Sequence, residues 1–173
     1  LVAYGRSQEA EHNKKFRFTL TTNGMLVNDE VIDFCNKEMH NVVLSLDGRK
    51  EINDRLRRTV GGKGSYDIIV PKFQEFAARR EQKNYYVRGT FTHNNVDFTN
   101  DILHMADLGF TELSMEPVVC SPDDPCALTA EDLPAVPATS GAEALSDALN
   151  ALMVLGYTRG EAAAALKKVN PAG

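Results

Sequence analysis

Three thiols, Cys35, Cys120 and Cys126, and four imidazoles, His12, His40, His93 and His104, are the side chains best suited to bind metal or act as nucleophiles. Their spacing argues against most such chemistry. Cys120 and Cys126 are separated by five residues, two of them prolines, too irregular for a zinc knuckle, and read as a loop with two incidental thiols. The histidines form neither His-Glu-x-x-His nor a close pair, and no Gly-x-Ser-x-Gly occurs, so zincin and hydrolase chemistry drop out. Gly61-Gly62-Lys63-Gly64-Ser65 resembles a phosphate loop, but Arg57 stands where its first glycine is required and Gly64 where Ser or Thr should follow the lysine. A dinucleotide fingerprint fails at Asp67, where the third glycine should be. What remains is a series of polar, glycine-bearing segments: Thr22-Asn23-Gly24, Ser45 to Gly48, Thr90 to Asn94 and Glu116-Pro117.

Those segments follow the apolar runs expected of strands. Phe16 to Thr21 is β-branched and aromatic and closes at the Asn23-Gly24 turn; Val42 to Leu46 reads as a strand buried on both faces; Tyr85 to Thr92 and Phe110 to Val119 complete four. Helices alternate with them. Asn28 is the expected cap of a helix over Asp29 to Lys37, Ser65 the cap of one reaching about Arg80, and Asp97 to Leu108 a third, stopped at Gly109. Alternation of this kind predicts an α/β fold of about four parallel strands joined by helical crossovers, an open sheet or partial barrel. Ligands of such folds sit at the carboxyl ends of the strands, where the polar segments fall.

Composition bounds the rest. The chain has 173 residues, a net charge of −5 and no long Lys/Arg block, which disfavours direct nucleic-acid binding and leaves nothing basic for anionic lipid. No apolar run approaches a membrane span of about 20 residues. The odd, scattered cysteines favour a reducing, cytoplasmic home. The sequence starts at Leu1 with no basic region before an apolar core, so no signal peptide is expected, and a piece of something longer is. Residues 135 to 173 differ in character: 11 alanines against 7 in the first 134, and charges that cancel. Pro134, Pro137, Thr139, Ser140 and Gly141 mark the seam, giving a domain over 1–134, a linker over 135–141 and a helical module over 142–173.

Thr21-Thr22-Asn23-Gly24, followed by Leu44-Ser45-Leu46-Asp47-Gly48-Arg49 and on to Arg57, resembles the radical S-adenosylmethionine (radical SAM) superfamily. The likeness is to SPASM-type peptide maturases, in particular those that form thioether crosslinks in SCIFF peptides. Gly64 to Pro71, Tyr86 to Thr92, Ala106 to Phe110 and Met115 to Val119 continue it in order. The resemblance implies a partial (β/α) barrel, S-adenosylmethionine as cofactor, a 4Fe-4S cluster on three cysteines and a Cys-rich precursor peptide as partner. It places the cofactor's carboxylate on Ser45 and on Arg57, twelve residues later, a hydroxyl and guanidinium that make a charge-assisted cradle. Asn23 and Asp47, at neighbouring strand ends, are expected to line the same groove. The three-cysteine cluster loop, the Gly-Gly-Glu motif and the SPASM cysteines are absent from the sequence, so the expectation is the central part of a maturase barrel, inactive as given.

In the tail, Leu145, Leu149, Leu152 and Leu155 recur at helical spacing, and Thr158-Arg159-Gly160-Glu161 reads as a capping box for a second helix. Ala151 to Tyr157 followed by Glu161 to Lys168 resembles the C-terminal domain of RuvA, a UBA-like module that contacts the RuvB motor in Holliday-junction branch migration. That resemblance implies a second class of function, a non-catalytic protein-interaction module with a protein partner for these helices.

Overall fold

The computed structural model describes residues 1–80 and 84–132, together with Leu149, Thr158, Arg159, Gly160, Ala163 and Leu166. Contacts divide the chain into two compact units, Leu1–Asp132 and Leu133–Gly173. Of the tail, Leu149, Arg159, Gly160, Ala163 and Leu166 are helical; the rest of the expected helical pair lies outside the described residues.

The first unit runs α1 (Val2–His12), β1 (Phe18–Thr22), α2 (Asp29–Glu38), β2 (Met39–Ser45), α3 (Lys50–Leu56), α4 (Tyr66–Arg79), β3 (Asn84–Phe91), α5 (Thr99–Asp107) and β4 (Leu113–Pro117). The four strands form one sheet in the order β1-β2-β3-β4, every neighbouring pair parallel. Alternation along the strands sorts side chains to two faces. Leu20, Val42, Leu44, Leu46, Val87, Leu113 and Met115 face a core that Ile32 and Cys35 of α2, Ile69, Phe73 and Phe76 of α4 and Met105 of α5 complete. Among the described residues, no helix is long and apolar enough to cross a membrane.

Several local expectations hold. The Asn28 side chain accepts from the Val31 N–H at 3.0 Å, satisfying a donor that the first turn of α2 leaves free. Gly109 ends α5 with φ +91, a conformation that disfavours a side chain. Others need correction. Ser65 sits at the start of α4 but makes no cap bond with its side chain. Its hydroxyl donates instead to the Arg57 carbonyl at 2.6 Å, and Asp54 of α3 takes the capping role by accepting from the Tyr66 N–H at 2.8 Å. The strands at Phe18 and Leu113 and helix α5 at Thr99 begin two or three residues later than their composition suggests. The short helix α3, with only Ile52 and Asn53 buried, adds an element between β2 and α4.

Candidate functional site

At the carboxyl end of β2 the chain passes Ser45 and Leu46, whose N–H donates to the Arg88 carbonyl at 3.1 Å, and reaches Asp47, which is 1% exposed. One Asp47 oxygen accepts from the Thr90 N–H at 3.0 Å and from an Arg57 terminal nitrogen at 2.8 Å. The other oxygen lies 2.7 Å from Arg57 Nε. That Nε has no hydrogen bond of acceptable direction, so the pair is one hydrogen bond plus a close ionic contact rather than a two-pronged fork. Asp47 therefore ties together the ends of β2 and β3 and the residue that closes α3.

Arg57 is held through its backbone as well. Its N–H donates to the Asn53 carbonyl at 2.7 Å and its carbonyl accepts from Ser65. Asn53, fully buried, donates to the Ser65 hydroxyl at 3.2 Å. The Arg57 side chain keeps 30% exposure, and no partner within the described residues takes its second terminal nitrogen. A guanidinium carries five donors. Among the described residues, those on its second terminal nitrogen are left unpaired by Asp47.

Asn23 follows β1 on the exposed side of a tight turn, its side-chain oxygen accepting from the Met25 N–H at 3.2 Å. Gly24 next to it has φ +78, and a Cβ there would lie 2.4 Å from the Phe73 ring. The turn is thus fixed by close packing as well as by chirality. Asn23 and Arg57 share the wall of a cavity of about 250 Å³ with Met25, Leu56, Arg58, Thr59 and Ser65. That is below the roughly 300–1,000 Å³ of small-molecule sites, enough for one polar end of a ligand. Of the four predicted site residues, Asp47 meets Arg57 by ion pair and Asn23 meets Arg57 at the cavity. Ser45 lines neither: it is half-buried on the sheet, in register with Arg88, and its hydroxyl has no partner among the described residues.

Strand register gives Ser45 its neighbours. Thr19 and Thr21, Asn41 and Val43, Tyr86, Arg88 and Thr90, and Ser114 and Glu116 fall on the face opposite the core. All but Val43 stay exposed or half-buried. Arg88 and Glu116 reach across this face to 3.5 Å. A parallel sheet packed by helices on both faces is apolar on both. This one presents one apolar face and one polar face whose polarity runs up to the Ser45 and Thr90 ends.

Behind the strand ends lies a network that sequence spacing did not expose. Asp101 of α5, 0% exposed, accepts from the Arg49 N–H at 3.0 Å, from Arg49 Nε at 2.7 Å and from the Asn95 amide at 3.1 Å. Asp101, and secondarily Asp97, hold the Arg49 guanidinium charged well above its ordinary pKa. Arg49 in turn pulls the Asp97 carboxyl below the usual carboxylate range. Asn95 also accepts from the Thr92 N–H at 2.8 Å, so the loops after β2 and β3 are clamped to one helix. The only sequence signal was an acid in the first turn of a helix, which reads as capping.

The thiols do not make a cluster site. Cys35 is buried in the core on α2, where burial pushes its thiol pKa up; Cys120 is exposed and Cys126 half-buried after β4. Among the described residues no three His, Cys, Asp or Glu side chains converge as metal ligands. A three-thiolate iron-sulfur cluster does not fit the cysteines of this chain.

Residues 143–173 match the family model described as RuvA, C-terminal domain. No curated protein matches the chain. Similar solved structures include "Native anSMEcpe with bound AdoMet and Kp18Cys peptide", at a TM-score of 0.65 and 19% identity, covering 75% of this chain and 37% of that one. "Native anSMEcpe with bound AdoMet" gives the same values. The chain thus spans little more than a third of the length of these neighbours. The likeness is one of fold: four parallel strands with flanking helices, a partial (β/α) barrel.

Proposed function

We propose that the α/β unit is the central part of a radical SAM peptide-maturase core, which binds S-adenosylmethionine at the carboxyl ends of its strands and a peptide over the polar sheet face. The observation that carries this is the continuity of the polar face with Ser45 and the Asp47–Arg57 pair. A neighbour of the same fold is described with bound AdoMet and a peptide, and this supports the reading. In it, the unpaired terminal donors of Arg57 and the unpartnered Ser45 hydroxyl receive the cofactor's carboxylate, Asn23 lines the cavity beside Arg57, and Asp47 positions Arg57. S-adenosylmethionine is the radical source in this chemistry; the residues of this chain bind and orient it. A Cys-rich precursor acquiring thioether crosslinks is the substrate class that the sequence resemblance adds.

Calorimetry with S-adenosylmethionine tests the binding claim. Wild type should give heat, and Ser45→Ala should weaken binding about 3–10-fold, the worth of one hydrogen bond of about 1 kcal/mol. Because the hydroxyl has no partner inside the unit, the same variant should melt like wild type. Arg57→Ala should bind weaker still, at a cost in stability because Asp47 stays buried without its cation. No heat from wild type sinks the proposal. Anaerobic iron-sulfur reconstitution of the 173-residue chain should leave no 4Fe-4S absorption, because its three thiols do not converge; a cluster spectrum would overturn that assignment.

The match to the RuvA C-terminal domain favours a second reading for the tail, a docking module for a protein partner such as RuvB. Capture of RuvB by the full chain, and its loss on deleting residues 135–173, is the expected result; capture unchanged by the deletion counts against it.

A further inference from the structure

The opposite end of the sheet has a site of its own. The amino-terminal ends of β1, β2 and β3 and the last turn of α2 enclose a cleft of about 460 Å³, within the range of small-molecule sites. Arg6, Lys15, Arg17 and Lys37 line it, with Glu38 the one carboxylate among the lining residues. In a chain of net charge −5, this is a local reversal of sign.

The acids nearby are already committed. Arg6 Nε lies 3.2 Å from one Glu38 oxygen, and an Arg6 terminal nitrogen lies 2.6 Å from Glu9, the second acid behind the cleft. Lys37 stands 4.0 Å from the other Glu38 oxygen and is 81% exposed. Lys15 and Arg17 are exposed and have no ion-pair partner among the described residues. With both glutamates counted, the cleft keeps a surplus of two positive charges.

A helix ends here, and its free carbonyls would ordinarily repel an anion. Two carbonyls at this end are occupied by cations: Arg80 donates to that of Met39 at 2.8 Å and Arg6 to that of Glu38 at 3.1 Å. Phe16, 45% exposed and stacked on Phe18 with 5.9 Å between centroids, adds an aromatic face at the cleft wall.

We propose that this cleft binds a small polyphosphate anion, held by Lys15, Arg17 and Lys37 around the fixed Arg6. Multiple separated cations suit several phosphate charges, and arginine and lysine are the phosphate-binding side chains. The Phe16 ring provides a stacking surface if the anion carries a nucleobase. Occupancy of the cleft is independent of cofactor binding at the other end of the strands.

The test is calorimetry on the full chain with inorganic pyrophosphate and with ADP, at about 50 mM salt so that screening does not mask the effect. Both should bind, and Arg17→Gln/Lys37→Gln should weaken both by about tenfold or more, as expected for losing two charge-assisted contacts. Both substitutions are at exposed positions, and an unchanged melting temperature verifies folding. ADP binding more tightly than pyrophosphate, with the gain erased by Phe16→Ala, identifies a nucleotide as the occupant; equal affinities identify the polyphosphate alone. No heat from either probe, or heat undiminished in the double variant, overturns the proposal.

Discussion

Arg80→Leu should lose about 4 kcal/mol of unfolding free energy, because each buried acceptor left without a donor costs about 1–3 kcal/mol. Arg80 follows α4, is 1% exposed and sits over the Phe76 ring at 5.8 Å. Its guanidinium donates to the carbonyls of Cys35, Met39 and Asn84 and to the Asn36 side chain, at 2.8 to 3.2 Å. Those acceptors belong to the end of α2 and the beginnings of β2 and β3, so one side chain supplies donors to three elements; the Cys35 carbonyl also accepts the Met39 N–H. A leucine fills the volume and satisfies none of them. Urea unfolding should show the midpoint falling by about 2 M, taking a slope near 2 kcal/mol/M. Arg80→Lys should recover less than half, since an ammonium cannot span acceptors laid out for a planar fork. A shift under about 0.5 M for the leucine variant would show that the carbonyls find water or other donors.

Asp101→Ala should cost about 3 kcal/mol, the lower end for breaking a buried ion pair, since Arg49 keeps 25% exposure and Asp97 as a remaining partner. The same variant should bind S-adenosylmethionine less tightly although Asp101 lies behind the proposed cradle. Its partners Arg49 and Asn95 fix the loops that follow β2 and β3, and those loops carry Asp47 and adjoin Thr90. Asp101→Asn, which retains shape and loses charge, should fall between wild type and alanine in both readouts. Loss of stability with unchanged affinity would make Asp101 a structural residue only; loss of both makes it a positioning residue.

The fold was legible from local signals because they are local. Asn28 caps α2 three residues from its donor, Gly24 and Gly109 turn where φ must be positive, and the apolar run at Val42 to Leu46 paired as a buried strand. The site was legible in part. Asn23, Ser45 and Asp47 fall at strand ends, which alternation alone locates. Pairings that close over long separations were not: Asp101 with Arg49 is 52 residues distant, and Arg80 with Cys35 is 45. The basic cleft escaped for the same reason, its cations being dispersed along an acidic sequence. Ser65 was misread because a serine ahead of a helix usually caps it, and only the nearness of Asp54 reassigns the task.

The strand order β1-β2-β3-β4 has a consequence for how the unit assembles. Each strand pairs with the one made just before it, so the sheet can grow in the direction of synthesis without waiting for a distant segment. Arg80 follows α4 and fastens the end of α2 to the start of β2. It is a latch set midway through the chain, and its bonds to α2 and β2 involve no residue later than Arg80 itself.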